Sequence, residues 1–493
     1  MHEASYKRIF RSTGLMGAVQ VLTMLASVLR GKAAAVFIKS AGIAVNDLYS
    51  RNIALVGSLT NFGLGFSAVQ RLSELHEQGD TAALRQHAAR VRTWVALTAA
   101  LGLALGLLLS PVLSLAMTGG YAEIFHFCLL APVVAFTTLM GGEIAVLKGL
   151  RELKRLAIVS AATALATLAV AVPFYWWLGF RAIIPVLFLS TLASLLLHVA
   201  ATRRPMPYRL CRVDRAFLRT GGPLLRLGLS YILAGVVATA AELAIRTALK
   251  HQMSSWEELG LYTAGFTLIV SYARIVFVAM DADFFPQLSA IRSDATRANR
   301  LINRQTDVLV MLMTPLLIVF ALLLPLVIRV LLTAEFLPVI PMVVCGLSFM
   351  FFKAVYSPAA YLTLAHADST LFLVMETAYN AVLIGAVLGG YALCGLTGAG
   401  IGLSLANLFD LAAVTLVYGR RYGLRFERRT VRLCTAQFVL LATGLAATTL
   451  PDVAVRAAAC TIAASLSLLL SLLLIKRPRV VGTAKKSYMK LFF

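Results

Sequence analysis

Along the chain, long apolar runs alternate with short polar clusters that hold most of the charge. Uncharged or nearly uncharged runs occupy about residues 12–37, 42–70, 93–118, 121–147, 156–180, 182–202, 224–249, 259–288, 307–331, 336–365, 369–390, 394–418, 433–450 and 456–475. A helix that crosses a bilayer needs about 20 mostly apolar residues. The pattern therefore predicts fourteen transmembrane helices. A transmembrane barrel would instead show alternating segments of about ten residues. The first run follows Lys7, Arg8 and Arg11 as a signal peptide's apolar core would, but it ends in Arg30 and Lys32 and more spans follow. It reads as a retained first helix.

Composition narrows the picture. Of 493 residues, 60% are apolar and 14% charged, against about 45–50% and 25% in ordinary soluble domains. Lipid is the expected solvent, and no stretch is left for a large soluble catalytic domain. The six cysteines are scattered with no CxxC spacing, and the seven histidines form no HExxH motif. Neither a disulfide framework nor a metal site is expected, and no cofactor is called for.

The basic residues orient the spans. With the N-terminus inside, 34 of the 45 Lys and Arg residues fall in cytoplasmic segments, five in external loops (Lys39, Arg181, Lys250, Arg329, Arg456) and six within spans. Such an asymmetry is the positive-inside pattern, and a wrong span count would scramble it. Both termini are expected in the cytoplasm, and the net charge of +23 reads as anchoring to an anionic leaflet rather than nucleic-acid binding.

Two basic linkers divide the chain. The expected organisation is an N-terminal six-helix lobe (1–202), a basic cytoplasmic linker (203–223), a C-terminal six-helix lobe (224–418), a second basic linker (419–432), two further helices (433–475) and a basic tail (476–493). The two lobes look weakly alike. Lys32, Tyr49 and Leu72-Ser73 of the first correspond to Arg246, Tyr262 and Leu288-Ser289 of the second, at offsets of 214, 213 and 216. Both lobes begin on the cytoplasmic side, so the repeat is parallel; chance similarity between apolar stretches is the other explanation. The fold class is thus all-α integral membrane, with about 14 transmembrane helices in two pseudo-symmetric six-helix bundles plus two C-terminal helices.

Candidate chemistry lies in charges that the bilayer should exclude. Each intramembrane cation facing lipid costs at least about 2.5–3.5 kcal/mol. Arg30, Lys32, Arg51, Arg246, Arg274 and Lys353 must therefore face protein or water, and they are the candidate substrate-binding residues. Arg274 and Lys353 lie nearest mid-depth and are the strongest of them. Two readings stay open for the others. Asp47 with Arg51, and Glu242 with Arg246, are acid-first i,i+4 pairs that could be structural, while Arg30 and Lys32, with no acid between residues 12 and 46, could snorkel to the outer interface. Glu143, Asp281, Asp283, Glu376 and Asp410 fall mostly toward the cytoplasmic half. Asp47, Glu242, Asp281, Asp283, Glu376 and Asp410 are the candidate gating or ion-coupling residues, with interfacial solvation the competing explanation for Asp281 and Asp283. The polar stretch Arg71–Arg92, carrying Leu72, Leu75, Ala82, Leu84 and Ala88, reads as a helix lying on the inner membrane surface.

The 6 + 6 + 2 plan, Arg30 late in helix 1, Gly260-Leu261-Tyr262 entering helix 8 and Phe285-Pro286-Gln287-Leu288-Ser289 closing it resemble the polysaccharide flippases, including the O-antigen type, of the multidrug/oligosaccharidyl-lipid/polysaccharide exporter superfamily. The resemblance covers essentially the whole chain. It implies translocation of an undecaprenyl-diphosphate-linked oligosaccharide from the inner to the outer leaflet of a bacterial inner membrane by alternating access. It also implies membrane lipids as surroundings, a glycan polymerase or ligase as a partner, a monomeric state and no nucleic acid. Other readings remain. A lipid II-type flippase shares the diphosphate lipid, although its characteristic loop motifs are missing. A cation-coupled multidrug exporter of the same superfamily should offer an acid in helix 1, where this chain has cations. A membrane enzyme would need a longer outer loop than the stretch from His251 to Leu259. A major-facilitator transporter would carry a GxxxDxxGR-like loop that Arg71–Arg92 does not match, and a scaffold role is separable only by transport activity.

Overall fold

The computed structural model describes residues 2–61, 64–214, 217 and 229–475, without the side chains of 2–18, 61, 64–67, 70, 118, 229–232, 271–275, 278–283 and 475. The described residues are helical with short connections. In chain order the helices are α1 (His2–Phe37), α2 (Lys39–Asn61), α3 (Leu64–Glu77), α4 (Thr81–Thr118), α5 (Ile124–Gly149), α6 (Leu153–Leu178) and α7 (Ile183–Arg203). There follow α8 (Leu229–Gln252), α9 (Trp256–Ala290), α10 (Ala295–Leu331), α11 (Ile340–Ala365), α12 (Ser369–Tyr422), α13 (Arg428–Ala447) and α14 (Val453–Ile475). Among the described residues, nine helical stretches are long and apolar enough to cross a membrane, and two of them, Leu153–Arg203 and Ser369–Tyr422, each have the length of two spans.

The breaks between helices have local causes. Asp80 caps α4 by accepting hydrogen bonds from the amides of Ala82 (3.1 Å) and Ala83 (2.9 Å), which satisfies donors that a helix start leaves unpaired. At the other end Gly119 takes the left-handed conformation (φ 73°) and its amide bonds back to Leu115 O. The long α12 is two helices joined at Cys394–Gly395, where Gly395 has φ 57°. Its arms fold back closely at Gly390 and Gly398. A Cβ on Gly398 would lie 1.8 Å from Gly390 O, so only glycine admits this approach.

The chain divides into two compact units. The first comprises residues 1–260 and 330–335, so that α8 belongs with α1–α7. Its core gathers Val45, Leu48, Tyr49 and Ile53 of α2, Leu130 and Val134 of α5, Ile183 and Val186 of α7 and Leu243 of α8. The outer surface is apolar as well: Trp176 and Trp177, at the end of α6, are 73% and 82% exposed. Exposed tryptophans at a helix end suit a membrane–water interface. The second unit comprises residues 261–329 and 336–493. It buries Leu309, Met313 and Leu317 of α10, Phe349, Met350 and Ala354 of α11, and Leu383, Val387 and Leu403 of α12.

The expected surface helix at 71–92 is corrected. α3 and α4 form an antiparallel pair around Asp80, and α4 continues without a break through Arg92 to Thr118. Leu72, Leu75, Leu84 and Ala88 are buried in a common cluster with Ala145 and Val146 of α5 and with Met206. The apolar stripe that suggested a membrane surface is satisfied by neighbouring helices, because side chains three and four residues apart share a helix face whatever covers it.

Candidate functional site

The first unit places the two predicted i,i+4 pairs side by side. Asp47 and Arg51 lie one turn apart on α2, Glu242 and Arg246 one turn apart on α8, and the two helices pack together. The pairing is crossed between the helices. Arg51 Nε holds Asp47 Oδ1 at 3.3 Å within α2, while Arg51 Nη1 pairs with Glu242 Oε2 on α8. Arg246 Nε pairs with Asp47 Oδ2, and Arg246 Nη1 donates to Glu242 O at 3.0 Å. Asp47 therefore bridges both arginines, and the carboxylate partner of Arg246 lies on the other helix. Two turns along, Ser58 and Thr239 hydroxyls meet at 3.2 Å and continue the polar seam.

The quartet balances two positive and two negative charges. Arg246 is 2% exposed at its side chain and Asp47 17%, whereas Arg51 and Glu242 keep 28% and 29%. A neutral, mutually bonded set is the condition under which such groups persist away from water. Arg51 and Glu242 form its accessible edge. A guanidinium there can offer its planar fork of donors to an incoming phosphate or carboxylate.

The other predicted cations separate. On α1, Arg30 is exposed, whereas Lys32 Nζ donates to Leu332 O. Beside it, the Ser40 amide and hydroxyl both donate to Glu335 Oε1. The segment 330–335 is thus tied into the first unit. The side chains of Arg274, Asp281 and Asp283 lie outside the described residues.

In the second unit, Lys353 on α11 and the acids Glu376 and Asp410 on the two arms of α12 form one electrostatic cluster, with Lys353 acting on both carboxylates. The sequence places Lys353 near mid-depth and the acids toward the cytoplasmic half, with nothing to group them. Tyr356 OH donates to Asn407 Oδ1 at 3.0 Å, and Asn407 Nδ2 donates to Tyr379 OH at 3.2 Å. Asn380 Nδ2 reaches Glu376 Oε1 at 3.3 Å, and Tyr356 also bonds Asp410. Lys353 Nζ lies 5.9 Å from the ring centres of Phe277 and Phe349. One cation, two carboxyls and a tyrosine–asparagine chain can hold or exchange a proton or a small cation.

A further buried ion pair, which the sequence does not announce, joins Arg92 to Glu143. Arg92, at the end of the polar stretch expected as a surface helix, is 2% exposed and grips Glu143, 3% exposed, with both arms: Nε–Oε1 2.9 Å and Nη2–Oε2 2.8 Å. Thr202 donates to the same carboxylate. Of the remaining guanidinium donors, Nη1 reaches Pro207 O at 2.8 Å and Met206 O at 3.3 Å and Nη2 reaches Met206 O at 3.4 Å, and the Tyr208 ring lies 4.7 Å away. Burial and the neighbouring Glu143 carboxylate push the Tyr208 hydroxyl up from its ordinary pKa, with Arg92 opposing. Every donor is used, so this pair holds the segment after α7 rather than a ligand. A residue 51 positions away cannot be identified as the partner from periodicity.

A family model described as polysaccharide biosynthesis protein matches residues 48–341, more than half of the chain. The chain belongs to that family. Comparison of this family member with curated proteins returns no sequence match. Solved structures share its fold. A lipid II flippase in an inward closed conformation is 12% identical with a TM-score of 0.69, covering 95% of this chain and 99% of its own. A multidrug resistance MATE family transporter of the MOP superfamily, inward-facing, is 14% identical with a TM-score of 0.67, covering 82% and 94%. A MOP superfamily transporter from Pyrococcus furiosus, whose binding pocket is described as of reverse polarity, is 14% identical with a TM-score of 0.58, covering 83% and 93%. The polysaccharide-family chain is thus a multi-pass membrane protein with the fold of MOP-superfamily transporters.

Proposed function

We propose that the protein is a flippase that carries an undecaprenyl-diphosphate-linked oligosaccharide from the inner to the outer leaflet of a bacterial inner membrane. The observation that carries this reading is the quartet Asp47, Arg51, Glu242 and Arg246, set among apolar helices of a polysaccharide biosynthesis family member. A diphosphate headgroup does not cross hydrocarbon unaided. Arg51 can exchange Glu242 for a phosphate oxygen, trading one charge-assisted hydrogen bond for another rather than paying full desolvation. With an inside-negative potential, each negative charge carried outward releases up to about 2.3 kcal/mol per 100 mV. In this scheme Arg30, Lys32, Arg246, Arg274 and Lys353 complete the cationic path, Asp47, Glu242, Asp281, Asp283, Glu376 and Asp410 serve gating or ion coupling, and the lobes alternate access. The scheme includes the lobe and linker boundaries above, both termini in the cytoplasm, a monomeric carrier and a glycan polymerase or ligase acting downstream.

The cluster Lys353, Glu376 and Asp410 favours a second reading, cation-coupled export, because its two carboxyls outnumber its one cation. A lipid II-type substrate fits the same quartet. Proteoliposomes separate these readings. Translocation of an undecaprenyl-diphosphate-linked O-unit, lost in Arg51→Ala, supports the first; translocation of lipid II alone, or of organic cations alone, replaces it.

A further inference from the structure

The first unit contains a cavity of about 750 Å3, lined by α2, the end of α4 and its connection to α5, the start of α5, the connection between α6 and α7, the end of α8 and the start of α9; none of the four quartet side chains lines it. On the topology expected from the charge asymmetry, in which Lys250 and Arg181 fall outside, this is the extracytoplasmic end. Its size falls within the range of about 300–1,000 Å3 typical of small-molecule sites. Tyr49, Glu123, His126, Arg181, Lys250 and Trp256 supply its chemistry.

Those six side chains are not equivalent. Glu123 is engaged: His126 Nδ1 meets its carboxylate, and the Tyr49 hydroxyl bonds to it as well. Tyr49 is fixed in turn by an edge-on contact with Phe127, ring centres 5.4 Å apart. Lys250 Nζ lies 4.7 Å over the Trp256 ring, a cation–π contact that orders both. One turn-end contact, His251 Nε2 donating to Ala116 O at 2.8 Å, pins α8 against the end of α4 and holds the wall in place. Arg181 stands on the short turn after Gly179, exposed at the cavity's edge. Glu123 is already bonded to His126 and Tyr49, and Lys250 also acts on the exposed Glu257 at the start of α9, so an arriving ligand meets aromatic faces with Arg181 and Lys250 as the cationic groups.

We propose that this cavity is an extracytoplasmic binding site for an acidic sugar, the carboxylate taken by Arg181 and Lys250 and the apolar face of the sugar ring by the aromatic wall. A planar guanidinium suits a carboxylate in two-point contact. Aromatic side chains present apolar faces together with polar edges, which matches a ring carrying C–H groups on its faces and hydroxyls around its rim. The site lies on the side where a flipped glycan would emerge. That assignment of the ligand's source rests on the flippase reading, whereas binding itself does not.

The test uses the full-length protein in detergent micelles and free, soluble saccharides, so that it is independent of translocation. Calorimetric titration with trigalacturonate is expected to show binding, and maltotriose, the same length without carboxylates, to bind at least about tenfold more weakly. Arg181→Gln, at an exposed position that the core does not use, is expected to weaken trigalacturonate about tenfold or more, the size of one lost hydrogen bond to a charged group. Trp256→Leu is expected to weaken both saccharides. Equal affinity for the acidic and neutral trimers, no binding of either, or an Arg181→Gln protein that binds as the wild type does, would each overturn the site. Acid-sugar binding by a protein that translocates no lipid-linked glycan would leave the cavity assignment standing and remove the flippase reading instead.

Discussion

Replacing Arg246 with methionine tests the quartet at its most buried point. Its side chain is 2% exposed, its Nε serves Asp47 and its Nη1 serves the Glu242 carbonyl at 3.0 Å. The substitution keeps much of the volume and removes the charge, leaving Asp47 with Arg51 at 3.3 Å as its cationic neighbour and the set with one excess negative charge. Breaking a buried pair by deleting one partner costs about 3–5 kcal/mol. Asp47 retains 17% exposure, which places the expected cost at the lower end, about 3 kcal/mol, or a fall of about 6 °C in Tm for a unit of this size. Asp47→Asn alone leaves Arg246 as the uncompensated charge and costs a similar amount. The double variant Asp47→Asn/Arg246→Met is neutral, with Arg51 and Glu242 still paired, so it is expected to recover about 1–3 kcal/mol relative to the sum of the singles. Thermal unfolding of the four proteins in detergent, followed by fluorescence, measures that coupling. Single-variant losses that add to within about 0.5 kcal/mol would refute the reasoning.

Three further outcomes follow from the same geometry. Arg92→Met should destabilise the protein by about 3–5 kcal/mol, whereas Arg71→Ala, whose pair with Glu74 is about half exposed on both sides, should cost less than about 1 kcal/mol; comparing their melting curves checks burial as the deciding variable. The Leu371 amide, then the Tyr422 and Arg421 side chains, hold the Asp368 carboxyl below its usual range at the start of α12. A depressed folded-state pKa means that this stabilisation is present above the unfolded value near pH 4 and lost as pH falls through the folded value. Asp368→Asn should therefore flatten the acid limb of the stability–pH profile, measured by unfolding between pH 2 and 6. Arg274→Ala and Lys353→Ala are each expected to abolish export of lipid-linked glycan while membrane insertion is retained; wild-type export in both would reject their assignment.

Run lengths of apolar residues are legible in a sequence because the bilayer sets them, so most of the expected runs follow the helices closely; the run 42–70 instead covers most of α2 and the start of α3. The pair at 369–390 and 394–418 is divided at Cys394–Gly395, where a positive φ on glycine makes the joint. Helix faces are legible too, which is why Asp47 and Arg51 were paired within α2. What covers a face is not. Periodicity places Glu242 one turn before Arg246, but only the packing of α2 on α8 turns the two local pairs into a crossed set. The same limit explains Leu72, Leu75, Leu84 and Ala88, whose stripe meets α5 rather than lipid. It also explains Arg92, which has the sequence context of a cation on a surface helix and the surroundings of a buried one. Lys353, Glu376 and Asp410 each stand out in the sequence as charges in apolar runs. Their grouping depends on how the two arms of α12 fold against α11.

The most direct measurement is translocation in proteoliposomes carrying a fluorescent undecaprenyl-diphosphate-linked oligosaccharide, read by quencher access from outside. Wild-type protein is expected to accelerate its transfer over protein-free vesicles, more so when the membrane potential favours movement of negative charge in the transport direction, and Arg51→Ala to reduce transfer to the protein-free rate. Transfer by Arg51→Ala at the wild-type rate, or no acceleration by the wild type, would contradict the claim that the buried arginine–carboxylate quartet carries an anionic lipid head.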